Sequence, residues 1–377
     1  MKSLSYGRQY IDDDDINAVV AVLKGDWLTQ GPSVSEFEKS FADYVGARYA
    51  VSFANGTAAI HGAYFAAGVE KGDEVLTSPM TFAATSNSAL YLGGVPVFAD
   101  MDPATLCLDP EKAAEKISRK TKVIAPVSFA GFPADIAPFL ELAASCGAVV
   151  VEDACHALGA RRNGVFVGKE AHLTAFSFHP VKHITTGEGG MVTTDSEEFA
   201  RRLRLFRTHG IEKDPMFMTR EPDGPWFNEM QILGFNYRLS DIHAALGLSQ
   251  LRKIEKFLLR RREIAALYDS FFEEMPSFRI PPRHEGHAYH LYPLQVPSER
   301  RSFFFEELRK KEIRGMVHYP PVPLHPYYRD RFGYKPGDFP AAEYYYSREI
   351  SLPVFYGISD EDVRRVAGEI RRIADFA

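Results

Sequence analysis

Ser177–Thr194 reads SFHPVKHITTGEGGMVTT, and its sixth residue, Lys182, decides how the rest of the chain is read. This lysine follows the β-like apolar run Ala175-Phe176-Ser177-Phe178 and precedes a turn rich in glycine, with Gly187, Gly189 and Gly190. Surface lysines belong on polar faces; this one comes straight after a core strand. Upstream, Val149-Val150-Val151 ends in the acidic pair Glu152-Asp153. A buried lysine paired with an aspartate at a strand end suits pyridoxal phosphate (PLP). The amine forms a Schiff base, and the carboxylate keeps the pyridine nitrogen protonated.

Other parts of such a site follow in order along the chain. Asn55-Gly56-Thr57-Ala58-Ala59 comes after a short apolar run and opens a helical one. Free N–H groups at that helix start, with the Thr57 hydroxyl, suit a phosphate, and Gly56 allows close approach. The plain alternative is a glycine turn with an N-cap. No Walker lysine is present, so a nucleoside triphosphate is not expected here. Phe82, after Pro79-Met80-Thr81, is placed to cover a ring; its alternative is a core aromatic. His156 is placed to flank the ring, or simply packs. Ser177 is a second phosphate donor. Asp153, His156, His179 and His183 lack any familiar ligand spacing, so no metal is expected. Each signal is modest alone; the order of phosphate turn, aromatic, strand-end aspartate, serine and lysine carries the cofactor reading.

Strand-like and helix-like runs alternate through the first half: strands at 49–53, 74–77, 95–99, 123–127 and 148–151, helices at 12–24, 33–44, 57–67, 82–91 and 136–145. The β runs are continuously apolar, as in a parallel sheet covered on both faces. After 194 come a helix at 196–207, a long polar and aromatic loop at 212–233, and helices at 240–253 and 255–274. A strand at 288–296, a helix at 301–311, a strand at 315–319 and a helix at 360–374 complete the pattern. We expect a large PLP-binding α/β domain over 1–250 and a small α+β domain over 251–377. The chain has 377 residues, 45% hydrophobic and 25% charged, with a net charge of −6. That balance argues against general binding to nucleic acid or an anionic membrane. No apolar run approaches a membrane span, and the start of the chain has no signal-like core. Cys107, Cys146 and Cys155 show no paired spacing. A reduced, cytoplasmic setting is the expectation.

On these residues the chain resembles the DegT/DnrJ/EryC1/StrS sugar aminotransferases. The resemblance rests on SFHPVKHITTGEGG, with EDACHALGA before it and GFNYRLSDIHAALGLSQL after it. It implies the aspartate-aminotransferase fold, PLP fold type I, with a mostly parallel central sheet. The stretches RTHGIEKDP, HLYPL, MVHYPPVPLHPYY and GDFPAAEYYYSREISLP are similar to the pseudaminic-acid branch. The resemblance implies Lys182 as Schiff-base lysine and proton carrier, and Asp153 as pyridinium partner. It implies cofactor contacts at Gly56, Thr57, Phe82, His156, Ser177 and Asn236. Asn236 would reach the phosphate of the other subunit in a homodimer with shared sites. Tyr6, Thr29, Gln30, Arg238, His318 and Tyr319 fall where relatives meet the nucleotide sugar. His183 departs from many relatives. The implied reaction moves an amino group from glutamate to C4 of UDP-2-acetamido-2,6-dideoxy-β-L-arabino-hexos-4-ulose. Three other readings stay open: another nucleotide-linked keto sugar, a sugar 3-dehydratase (where relatives replace the lysine with histidine), and a non-catalytic PLP-binding protein.

Overall fold

The continuous apolar runs become a seven-stranded sheet. Its order is Tyr49–Phe53, Gly190–Thr194, Leu173–Ser177, Val149–Asp153, Thr121–Ala125, Glu74–Thr77 and Val95–Phe98. Gly190–Thr194 runs antiparallel to both of its neighbours, and the remaining pairs are parallel. This computed structural model describes residues 3–375. Residues 1–2 and 376–377, at the outer ends of the two expected domains, lie outside the described residues.

Burial on both faces explains the sequence pattern. Val75, Val123, Val151 and Ala175 pack on one face with Ala59, Ala63, Tyr64 and Leu203. Leu76, Ile124 and Val150 point the other way, against Phe139 and Ala143. Successive strand residues face opposite sides, so both phases must be apolar. A separate apolar cluster runs from Ile264 to Ile373 and takes in Leu4 from the start of the chain. The helix Ile254–Phe272 serves both regions: Phe257 and Leu258 pack with Phe37 and Phe178, whereas Ile264, Tyr268 and Phe272 join the later cluster. The closing helix Asp360–Asp375 buries Val363, Val366, Ala367, Ile370 and Ile373, one face of a 3.6-residue period. No helix among the described residues is long and apolar enough to cross a membrane.

Several elements differ from the sequence expectation. Gly190, read from the sequence as part of a glycine-rich turn, instead opens the strand Gly190–Thr194 inside the sheet. The expected strand at 315–319 is instead the two-residue strand Ile313–Arg314, paired with Leu4–Ser5, followed by extended chain. The strand at 288–296 shortens to Tyr292–Gln295. Its partner Glu349–Leu352 was missed, as were the helices Pro326–Phe332 and Pro340–Arg348. The long loop at 212–233 contains a short ladder, Ile211–Glu212 against Glu229–Met230.

Candidate active site

Two parallel strands end side by side, and their last residues are Asp153 and Ser177. Open α/β sheets bind ligands at such carboxyl ends. Gly190, opposite Ser177, begins the antiparallel strand, and a Cβ there would lie 2.5 Å from the Asn55 carbonyl. The helix Gly56–Ala66 therefore starts hard against this sheet edge. Asn55 caps it, its Oδ1 accepting from Ala58 N–H at 2.8 Å. The first two N–H groups, of Gly56 and Thr57, are left for a ligand. A Cβ on Gly56 would sit 2.8 Å from Ser177 Cβ, so only glycine brings these two phosphate candidates together.

Lys182 sits on a loop closed at its neck. Phe178 N–H donates to the Gly189 carbonyl at 2.9 Å, and the Phe178 carbonyl accepts from Thr186 N–H and Thr185 Oγ1. The lysine makes no ion pair among the described residues. Burial pushes its pKa down and Arg261 adds to this, while Cys155 and Asp153 oppose it. The amine is thereby moved toward the neutral, nucleophilic form. Asp153 is fixed from two sides: Thr85 Oγ1 donates to Oδ2 at 2.6 Å and Cys155 N–H to Oδ1 at 3.1 Å. Its neighbour Glu152 faces the other way, bonded to Ser128 and Arg162 in the interior. Of the acidic pair, one member serves the cleft and the other the core.

Around these residues opens a cleft of about 1020 Å³. Ten of the residues proposed from the sequence line it: Tyr6, Gly56, Thr57, Phe82, Asp153, His156, Ser177, Lys182, His318 and Tyr319. Phe82 is 59% exposed, so it overhangs the cleft and is not a core aromatic. His156 is buried, pushed well below the usual histidine range by burial and then by Lys182, and its Nε2 lies 3.3 Å from Tyr319 Oη. The pairing of Leu4–Ser5 with Ile313–Arg314 carries Tyr6 to within 4.8 Å of the His318 ring.

Four proposed residues do not line this cleft. Thr29 pairs with Ser240, and Gln30 precedes Gly31, whose N–H is held by Asp241. Arg238 and the exposed Asn236 lie beside them, Asn236 bridging to Thr208. Thr29 and Gln30 lie against the start of the helix Asp241–Leu251, with Arg238 three residues before it, outside this chain's own cleft. His183 lies buried behind the lysine loop, its Nε2 3.1 Å from the Ala288 carbonyl. Sequence reading missed Thr85, Tyr237 and His290. Thr85 had no signal beyond its place near the start of a helical run; in the fold its Oγ1 lies 2.7 Å from Thr81 Oγ1. Tyr237 and His290 had none beyond their neighbours in the chain.

The residues fit PLP. The cradle at Gly56, Thr57 and Ser177 holds donors that suit a phosphate, and a Cβ at position 56 would fill it. Asp153 supplies an acceptor for a pyridine N–H, and Lys182 an amine. The comparisons agree. Residues 9–371 match the model of the DegT/DnrJ/EryC1/StrS aminotransferase family. The spore coat polysaccharide biosynthesis protein SpsC of Bacillus subtilis is 40% identical over 99% of this chain and 98% of its own. Helicobacter pylori PseC, an aminotransferase involved in the biosynthesis of pseudoaminic acid, superposes with a TM-score of 0.93 at 32% identity, covering 100% of both chains. The putative sugar aminotransferase Spr1654 of Streptococcus pneumoniae, solved in a PLP-form, gives 0.91 at 28% identity over 99% of both. The architecture is PLP fold type I, and the cofactor is pyridoxal phosphate. With the family model spanning nearly its full length, the chain belongs to the DegT/DnrJ/EryC1/StrS aminotransferase family.

Proposed function

We propose that this enzyme moves an amino group from glutamate to C4 of UDP-2-acetamido-2,6-dideoxy-β-L-arabino-hexos-4-ulose, a step of pseudaminic acid biosynthesis. The observation that carries the reading is the shape of one cleft. Lys182 and Asp153 lie at its floor, and Tyr6, Met316, His318 and Tyr319 extend it beyond the cofactor cradle. PseC, similar over its full length, supports the choice of sugar. When bound, PLP supplies an aldehyde that takes up the amino group and a ring that accepts the electron pair left by proton removal. The chain does the rest. Gly56, Thr57 and Ser177 bind the phosphate. Asp153, held by Thr85, keeps a proton on the pyridine nitrogen. Lys182 Nζ takes a proton from the donor's α-carbon in the first half-reaction and delivers one to C4 of the sugar in the second. Such positioned proton transfer contributes about 10²–10⁴-fold. Phe82 and His156 confine the ring. Working as a homodimer, each subunit sends Asn236 to the phosphate of its partner's site, and Thr29, Gln30 and Arg238 act there too. Three free cysteines agree with work in the cytoplasm.

One observation favours a second reading. The 40% identity to SpsC exceeds the 32% to PseC and supports another nucleotide-linked keto sugar. Incubating the purified protein with PLP, glutamate and a panel of UDP- and dTDP-4-keto sugars separates the two, with products identified by NMR. We expect 2-oxoglutarate and a 4-amino sugar from the UDP-linked hexosulose. Turnover confined to another sugar refutes the first reading. No 2-oxoglutarate with any sugar refutes amino transfer from glutamate and leaves the dehydratase and the non-catalytic PLP-binding protein.

A further inference from the structure

His318 reaches the cleft at the end of a hydrogen-bonded chain that begins in the core. The strand Glu349–Leu352 is buried throughout, and Glu349 and Ser351, two residues apart, share one of its faces. Met316 and Ser351 exchange backbone hydrogen bonds at 3.2 and 2.7 Å, laying the segment 316–318 along this strand. His318 N–H then donates to Glu349 Oε2 at 2.8 Å. The second carboxyl oxygen, Oε1, lies 2.5 Å from Ser351 Oγ, and that hydroxyl lies 2.8 Å from His318 Nδ1. Nε2 is the remaining ring nitrogen. It is not among the buried unpartnered atoms, and His318 lines the cleft, so Nε2 opens toward a ligand.

The direction of this chain depends on where the Glu349 proton resides. The carboxyl is 0% exposed and forms no ion pair among the described residues. Arg301, from the neighbouring helix, donates instead to the Tyr346 carbonyl at 2.9 Å. The other groups facing the carboxyl are uncharged at neutral pH: the phenols of Tyr345 and Tyr319, the His318 imidazole, and Gln295 across the strand pair. A lone buried carboxylate is costly, so the neutral acid is favoured. Oε1–H then donates to Ser351, and Ser351 must pass its own hydrogen to His318 Nδ1. The imidazole proton is left on Nε2.

We propose that Glu349 and Ser351 are positioning residues that set the His318 tautomer, so that an Nε2–H donor faces a carbonyl or phosphate oxygen of the substrate. This rests on the keto-sugar reading of the cleft for the substrate only; the tautomer itself is a property of the protein alone. Burial lifts Glu349 to about 8 and pushes His318 down to about 3, in keeping with a neutral acid beside a neutral imidazole. Above pH 8 the acid ionises and the chain reverses, turning the Nε2 lone pair to the cleft.

The test is a long-range ¹H–¹⁵N spectrum of ¹⁵N-histidine-labelled holoenzyme without substrate, with His318 assigned by its loss in His318→Asn. We expect the Nε2–H pattern at pH 7, moving toward Nδ1–H by pH 10. Glu349→Gln, whose amide still donates to Ser351, should keep Nε2–H across that range. Ser351→Ala should raise KM for the keto sugar about tenfold, one hydrogen bond, with kcat changed by no more than about threefold. An Nδ1–H pattern at pH 7, or a Glu349→Gln spectrum that still shifts with pH, overturns the proposal. Because the spectrum needs no substrate, failure of the sugar assignment would leave this result standing.

Discussion

Two adjacent carboxylates show how much one residue's direction decides. Glu152 and Asp153 look alike in sequence, yet a strand turns successive side chains to opposite faces. Asp153 meets the cleft, while Glu152 ties Ser128 and Arg162 into the core. Lys182 carries the opposite tension, as a desolvated amine that forms no ion pair among the described residues. Its folded pKa lies below the unfolded value of 10.5, so the unfolded chain binds more protons between those two values. The cost to the fold is therefore full below the folded pKa and fades as pH rises to 10.5. We predict that cofactor-free Lys182→Met is more stable than the cofactor-free wild type by about 1–3 kcal/mol at pH 7. The charge-dependent part of that gain should vanish above pH 10.5 by thermal or urea unfolding. The same variant should bind PLP without being covalently fixed to it by borohydride reduction.

Where a helix start meets two strand ends, small residues control the approach. Asn55 caps the helix, Gly56 admits Ser177, and Gly190 admits the Asn55 carbonyl. A methyl at position 56 must displace Ser177 at the end of a central strand, where neither backbone can yield. Gly56→Ala should destabilise the protein by about 1–3 kcal/mol. Its PLP affinity should fall more steeply, at least tenfold by fluorescence titration, because two phosphate donors move apart together. A variant that loses stability but retains affinity would mean that the phosphate does not sit there.

The chain as folded leaves Asn236 exposed and outside its own cleft. In the proposed homodimer that residue serves the other subunit, and complementation can test it. Pairing one Lys182→Ala subunit with one Asn236→Ala subunit leaves one site with both its own lysine and an intact partner asparagine. About half of the wild-type activity is expected from such a mixed dimer. The Asn236→Ala homodimer should bind PLP about tenfold more weakly, as loss of a hydrogen bond to a charged phosphate requires. Near-zero activity in the mixed dimer would place Asn236 in its own subunit's site.

Local chemistry was legible in the sequence. Glycines, caps and strand-end polar residues act within a few positions of one another, so Gly56, Asp153, Ser177 and Lys182 could be read before any fold was known. The parallel sheet was legible too, because strands buried on both faces are apolar at every position. Tertiary structure alone decided the rest. Gly190 looks like the end of a turn until two strands flank Gly190–Thr194. Thr85 and the Glu349–Ser351 pair acquire their roles from partners 31 to 68 residues away. Thr29 lies beside Ser240, outside the cleft of its own chain, with Asp241 holding the backbone at Gly31 and Ser33. Contacts between distant segments are made by packing, and no local pattern records which segments will meet.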